Sequence, residues 1–232
     1  MPPKEWKSMR VFGQLWYEIL DFSSNLSPEM REKAIKDGKD GVQYIIGMHP
    51  HGIVPFHAVL WAAYCDQYLS NDENALYGFG AAADVVMYIP ILRNVMGWLS
   101  AGSCSYKALK DGLMEGKSPP VNAAGRKPRH LYILPGGVAE VFTSTPGRNV
   151  VVFKKRYGLC RLSLETGAML MPCYVFGGTD FFENLATNDS VLSRLSRSLR
   201  AGITIFWGKF GLPIPYEPKI TLCVADPIPV QK

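Results

Sequence analysis

The sequence predicts an α/β protein with a central, mostly parallel or mixed sheet flanked by helices. Three observations carry that prediction. Short β-branched and aromatic runs alternate with stretches of helical apolar spacing. Apolar residues make up 47% of the chain and charged residues 19%, a balance that fills a core and argues against disorder. At 232 residues the chain is long enough for one such core and short for two.

The elements follow in chain order. Between Phe12 and Ile19 the apolar residues fall near helical spacing, so a short amphipathic helix is expected, its Trp16 and Tyr17 suited to the core or to a membrane interface. Ser27-Pro28-Glu29 marks a helix start with Pro at the first helical position. Residues 1–40 read as a helical lead-in and residues 41–232 as a single domain. Within that domain, Val42–Gly47 reads as a buried strand, Phe56–Leu69 as a helix and Ala75–Phe79 as a short strand. Pro90–Trp98 and Tyr106–Met114 have helical spacing, and Gly116–Pro128 is a loop rich in Pro and Gly. Leu131–Leu134 is a strand running into Pro135-Gly136-Gly137, and Val150–Phe153 reads as another. Gly158–Thr166 forms a helix closed by Gly167, a natural C-cap, and Ala168–Phe176 a strand. Ser190–Arg200 is a basic amphipathic helix; Ile203–Trp207 and Ile220–Val224 complete the strands.

Charge and cysteine usage narrow the function classes. The formal net charge of +5 hides an asymmetry: Ser105–Arg161 holds eleven basic and three acidic residues, so that segment carries +8. Such a field is either a solvated face or a landing place for an anionic ligand or membrane surface. Nucleic acid is not indicated, since no RNP-like, helix-turn-helix or zinc-finger pattern accompanies the charge. Five cysteines, at 65, 104, 160, 173 and 223, form no C-x-x-C pair and suit a reducing compartment. No apolar run reaches the roughly 18–20 residues of a spanning helix. The nearest, Val85–Leu99, is interrupted by Pro90, Arg93 and Asn94, and the N-terminus lacks the apolar stretch of a secretory signal.

Two strand-to-loop junctions hold the residues suited to chemistry. His49-Pro50-His51-Gly52 follows the first buried strand, where α/β proteins place catalytic side chains. A neutral imidazole there can take a proton from an attacking hydroxyl, and Gly52 permits a sharp bend. The pair also suits a structural turn. A His-x-His metal site is the weaker reading, because no further ligand lies nearby in sequence, and no metal is expected. The second junction is Leu134-Pro135-Gly136-Gly137-Val138-Ala139-Glu140. Its two glycines suit an oxyanion nest, and Glu140, set among cations, could hold an imidazole in one tautomer. An ordinary turn followed by a surface Glu is the plain alternative. A serine hydrolase is disfavoured, since the nearest thing to a G-x-S-x-G elbow is GSCS at 102–105.

Four blocks in order, HPHG after a strand, LPGGVAE, KKRYGLCRLSLETGAMLMPCYVFGG and FWGKFGLPIPYEPKITLCVADPIPV, resemble the type-2 diacylglycerol acyltransferases, within the wider lysophospholipid acyltransferase superfamily. The resemblance runs from about Tyr44 to the C-terminus. It implies a glycerol-3-phosphate-acyltransferase-like fold and metal-free transfer of a fatty acyl group from acyl-CoA to the hydroxyl of diacylglycerol, giving triacylglycerol. Monoacylglycerol, a long-chain alcohol or lysophosphatidate are alternative acceptors; a catalytically weak lipid- or acyl-CoA-binding relative is the reading of a different class. Acyl-CoA is then a co-substrate and no cofactor is implied.

The resemblance also distributes roles. His51, with His49 beside it, is the expected general base. The superfamily pairs its His with an Asp five positions later, but here those positions hold Val54 and Phe56, so Glu140 is the expected orienting acid. Gly136 and Gly137 would stabilise the oxyanion. Lys154, Lys155, Arg156 and Arg161, with Lys107, would bind the phosphates of coenzyme A. Phosphate-accepting relatives carry an Arg where this chain has Ala139, which favours an uncharged acceptor. Family members usually begin with hydrophobic membrane segments and continue past the PIPV element. The sequence therefore reads as a shortened or peripheral form, expected to be held to the cytosolic face of the endoplasmic reticulum membrane or to lipid droplets through Val85–Leu99 and its N-terminal aromatics.

Overall fold

A computed structural model describes residues 7–61, 78–114, 130–154, 156–185, 190–199, 202 and 204–230. Nine strands are present among them: β1 (Ser23–Ser24), β2 (Tyr44–His49), β3 (Gly78–Ala82), β4 (Ala101–Ser103), β5 (His130–Ile133), β6 (Met169–Phe176), β7 (Glu183–Asn184), β8 (Phe206–Trp207) and β9 (Thr221–Val224). Seven form one mixed sheet in the order β1-β9-β6-β2-β5-β3-β4, and β7 pairs with β8. Every neighbouring pair in the large sheet is parallel except β6 and β9. The α/β expectation holds.

The described helices are α1 (Lys7–Ile19), α2 (Pro28–Lys39), α3 (helical over 56–61), α4 (Asp84–Met87), α5 (Pro90–Trp98), α6 (Tyr106–Leu113), α7 (Val138–Val141), α8 (Tyr157–Thr166) and α9 (Val191–Leu199). Their signals act as the chemistry requires. Pro28 and Pro90 open α2 and α5 at positions whose N–H would lack a helical partner anyway. Gly167, at φ 79°, closes α8 in a left-handed cap, its N–H bonded to the Ser163 carbonyl. Both sheet faces are covered. One core joins Tyr44, Ile46, Met48, Phe142, Phe181 and Leu222 with Tyr17 and Leu20 at the end of α1. On the other, Ile45, Phe79 and Leu131 meet Leu109 and Leu113 of α6 and Leu162 of α8.

Four expectations shift, one being Ala75–Phe79, of which only Gly78 and Phe79 lie in the described strand β3, which runs on to Ala82. The first strand begins and ends two residues later than Val42–Gly47 and carries His49 as its last residue. Val150–Phe153 is not a strand: the Val152 N–H turns away from any ladder and donates to the Glu140 carboxylate. Ile203–Trp207 supplies only the two-residue β8, outside the main sheet. The expected loop 116–128 and the second half of the 56–69 helix lie outside the described residues, as does Lys155.

Candidate active site

The sheet order assembles the site. β2 lies between β5 and β6 and runs parallel to both, Gly47 in register with Ile133 and His49 with Tyr174. Three strand exits therefore open on one edge: the His49–Gly52 turn, the Pro135–Gly137 turn and the Gly177–Gly178 turn after β6. The exits of adjacent parallel strands are where α/β folds collect reactive groups.

Glu140 is the junction of the first two turns. Its side chain is fully buried, and Oε1 lies 3.0 Å from His49 Nδ1. The His51 backbone N–H donates to Oε2 at 2.5 Å and the Val152 N–H to Oε1 at 2.8 Å. Burial pushes the carboxyl pKa up, but the His49 hydrogen bond and the two backbone donors outweigh it, and it sits below its ordinary value. Gly136 is glycine for this reason: a β-carbon there would lie 1.8 Å from the Glu140 carboxyl carbon. Gly52, at φ 72°, is glycine for two, since a side chain would also meet the Gly178 carbonyl at 2.8 Å.

The carboxylate corrects the expected pairing. It takes the ring of His49, not that of His51, and reaches His51 only through the backbone. The His51 Nδ1 instead donates to its neighbour's carbonyl, Gly52 O, at 2.9 Å. Burial lowers the His51 pKa; the Gly52 carbonyl and Glu140 oppose this, and His49 adds to it, so the ring is neutral near pH 7. Donation from Nδ1 leaves each histidine with its lone pair on Nε2. That nitrogen of His49 is buried without a hydrogen-bond partner among the described residues. A mostly apolar cleft of about 430 Å³, lined in part by Val151, Pro172, Cys173, Tyr174 and Val224, is also lined by His49. Phe153 packs edge-on against the same ring, centroids 5.5 Å apart. Cys173 offers no competing nucleophile, because burial raises its thiol pKa to about 12.

The remaining expected residues separate. The Gly137 N–H is spent on the Leu134 carbonyl at 3.1 Å, so it is not an oxyanion donor here; its role is the turn, at φ 53°. Arg156 joins the site, its Nη2 donating to the Gly136 carbonyl at 3.0 Å. Arg161 does not share that contact: its Nε lies 2.7 Å from Glu165, and its guanidinium stands over the Tyr106 ring. Lys107 is exposed on α6, and Lys154 is exposed just after the Val152 contact. Sequence reading missed His57, buried on α3, and His130, which accepts from the Tyr44 N–H at 3.0 Å and ties β5 to β2. Nothing in their spacing sets either apart from an ordinary core position.

Comparison with known proteins places this geometry. Residues 16–232 match the profile of the diacylglycerol acyltransferase family. A diacylglycerol O-acyltransferase 1 of Schizosaccharomyces pombe is 31% identical over 205 residues, covering 82% of this chain and 55% of that protein. The mouse diacylglycerol O-acyltransferase 2 is 30% identical over 82% of this chain and 49% of its own length. The mouse acyl-CoA wax alcohol acyltransferase 2 is 28% identical over 85% and 60%. The chain thus spans about half the length of the curated relatives it matches. In fold it is similar to the crystal structure of a 1-acyl-sn-glycerophosphate acyltransferase from Thermotoga maritima, with TM-score 0.50, 14% identity and coverage of 96% of this chain and 68% of the other. With the profile matched across all three strand-exit turns, the chain belongs to the diacylglycerol acyltransferase family.

Proposed function

We propose that this chain transfers a fatty acyl group from acyl-CoA to the hydroxyl of a neutral lipid, diacylglycerol first, giving triacylglycerol. The observation that carries the reading is the His49–Glu140 pair, a buried carboxylate 3.0 Å from an imidazole beside an apolar cleft. In this reading His49, rather than His51, is the general base. Its Nδ1–H is held by Glu140, and Nε2 takes the proton of the acceptor hydroxyl while that oxygen attacks the thioester carbon. The tetrahedral adduct expels the thiolate of coenzyme A. The imidazolium returns its proton to that thiolate, so ester and free coenzyme A leave and the enzyme is regenerated. Glu140 favours the step by stabilising the imidazolium.

The cleft supplies an apolar place for the acyl chain next to the base. Arg156, anchored on the Gly136 carbonyl, is the cation best placed for a coenzyme A phosphate, with Lys154 beside it. Ala139, on α7 beside Glu140, offers an acceptor phosphate nothing to bind, and this supports an uncharged acceptor. We further propose action at a membrane surface, the cytosolic face of the endoplasmic reticulum. No helix among the described residues is long and apolar enough to cross a membrane, but Tyr88, Ile89, Ile91, Leu92 and Trp98 form an exposed apolar group on and beside α5.

The experiment is radiolabelled oleoyl-CoA with diacylglycerol in liposomes, comparing wild type with His49→Ala and His51→Ala. Triacylglycerol formation by wild type, lost in His49→Ala, supports the reading. Lipid binding without transfer in wild type would make the chain a binding relative. Transfer lost only in His51→Ala would return the base to His51.

A further inference from the structure

His57 stands outside the roles given above, and the inference it carries rests on the acyl-transfer reading. It lies six residues past His51 on α3 and is 2% exposed. Neither ring nitrogen has a hydrogen-bond partner among the described residues. A neutral imidazole holds one N–H and one lone pair, and each left unmet in the interior carries the full desolvation penalty of that group. A phenylalanine or methionine would fill similar space without that cost.

The surroundings are fitted to the ring. A β-carbon on Gly178 would come within 3.3 Å of His57 Nδ1, and the carbonyl of that same Gly178 closes on Gly52. The imidazole is thus wedged behind the turn that carries both other histidines. Burial above all, then the neighbouring His51, drives its pKa down to about 3 against the pull of Glu140, so it is neutral throughout the working range. The groups with which it interacts electrostatically are His51 from its own segment and Glu140 from α7, while Gly178 brings backbone alone.

We propose that His57 is a positioning residue of the acyl-transfer centre, a buried neutral imidazole whose unmet hydrogen-bonding capacity is used when the His49-Pro50-His51 turn takes up the proton of the acceptor. In the resting turn Glu140 and the Gly52 carbonyl take the Nδ1–H of the other two rings. The imidazolium forms on His49, whose ring Glu140 holds, and Glu140 is also the carboxylate that acts on His57. The preset dipole of His57 acts on the pair through Glu140 once the proton has moved, and so affects turnover rather than substrate binding.

The test uses the full chain in liposomes, with kcat, KM for oleoyl-CoA and melting temperature measured for wild type, His57→Phe and His57→Gln. His57→Phe should melt no lower than wild type, lose about tenfold or more in kcat and keep KM within about twofold. His57→Gln, which retains a donor and an acceptor, should recover most of kcat. A His57→Phe enzyme within about twofold of wild-type kcat makes the ring mere core filling and overturns the proposal. So does a His57→Gln enzyme no faster than His57→Phe. If His57→Phe fails to fold, His57→Met takes its place under the same criterion. A wild type that transfers no acyl group defeats the acyl-transfer reading instead, which keeps the two failures apart.

Discussion

Glu140 and Glu165 are both carboxylates held below the ordinary range by donors, yet they do different work. Glu140 is fully buried at the exit of β5 and takes one imidazole and two backbone N–H groups. Glu165 keeps 28% of its side-chain surface and binds Lys110 and Arg161, which with Tyr106 bring its pKa down to about 2. Backbone donors cannot swing away, so Glu140 fixes two loops and one ring at once. The Lys110 and Arg161 side chains are long, solvated and screened by salt, so Glu165 links α6 to α8 with little geometric demand. What separates a site carboxylate from a surface one here is the kind of donor, not the size of the pKa shift.

Mutations can break that contrast, beginning with the largest expected effect. His49→Ala should lower kcat by about a thousandfold, measured as triacylglycerol formed per enzyme, since it removes the proposed general base. Glu140→Gln should cost more than about tenfold in kcat, roughly 1.4 kcal/mol of barrier, because an amide orients the ring poorly and leaves the imidazolium unpaired. A smaller loss than that removes Glu140 from the mechanism.

Acid should act on the buried side of the comparison. His51, and His57 at about 3, have folded pKa values below their ordinary 6.5, so the unfolded chain binds protons more readily there. Their contributions to stability are whole above pH 6.5 and are lost as pH falls below it; that of Glu140, also depressed, is whole above 4.5 and is lost as pH falls through its folded value. The melting temperature should therefore be level above about pH 7 and fall steadily between pH 6.5 and 3, with a shallower fall in His57→Phe.

Arg156→Ala should raise KM for acyl-CoA about fivefold or more, while Arg161→Ala, whose charge Glu165 already engages, should change it less than about twofold. Glu165→Gln should be the mildest, shifting the melting temperature by less than about 2 °C, a change that added salt erases. A larger effect would mean that the ion pairs on α6 and α8 set the position of the site.

Legibility in the sequence followed the range of the interaction involved. The start of α2 and both ends of α5 and α8 were readable to within a residue or so, because Pro28, Pro90 and Gly167 act through their own backbone. Val150–Phe153 misled because its β-branched pattern is that of a strand, whereas its N–H answers to a carboxylate twelve residues away. Gly136 and Gly137 read alike as an oxyanion nest. One turned out to make room for Glu140 and the other to close a turn, a difference set by a side chain and not by the glycines.

By itself the sequence determined the α/β layering and singled out the His49–Gly52 and Leu134–Glu140 junctions, since periodicity, turn residues and a lone carboxylate among cations are local properties. Only the tertiary structure decided that the carboxylate grips His49 rather than His51, that Arg156 and not Arg161 stands at the turn, and that His57 lies behind it. Those outcomes depend on which strands are neighbours and in what register, and register is fixed by burial on both faces of the sheet together, a quantity no single segment contains.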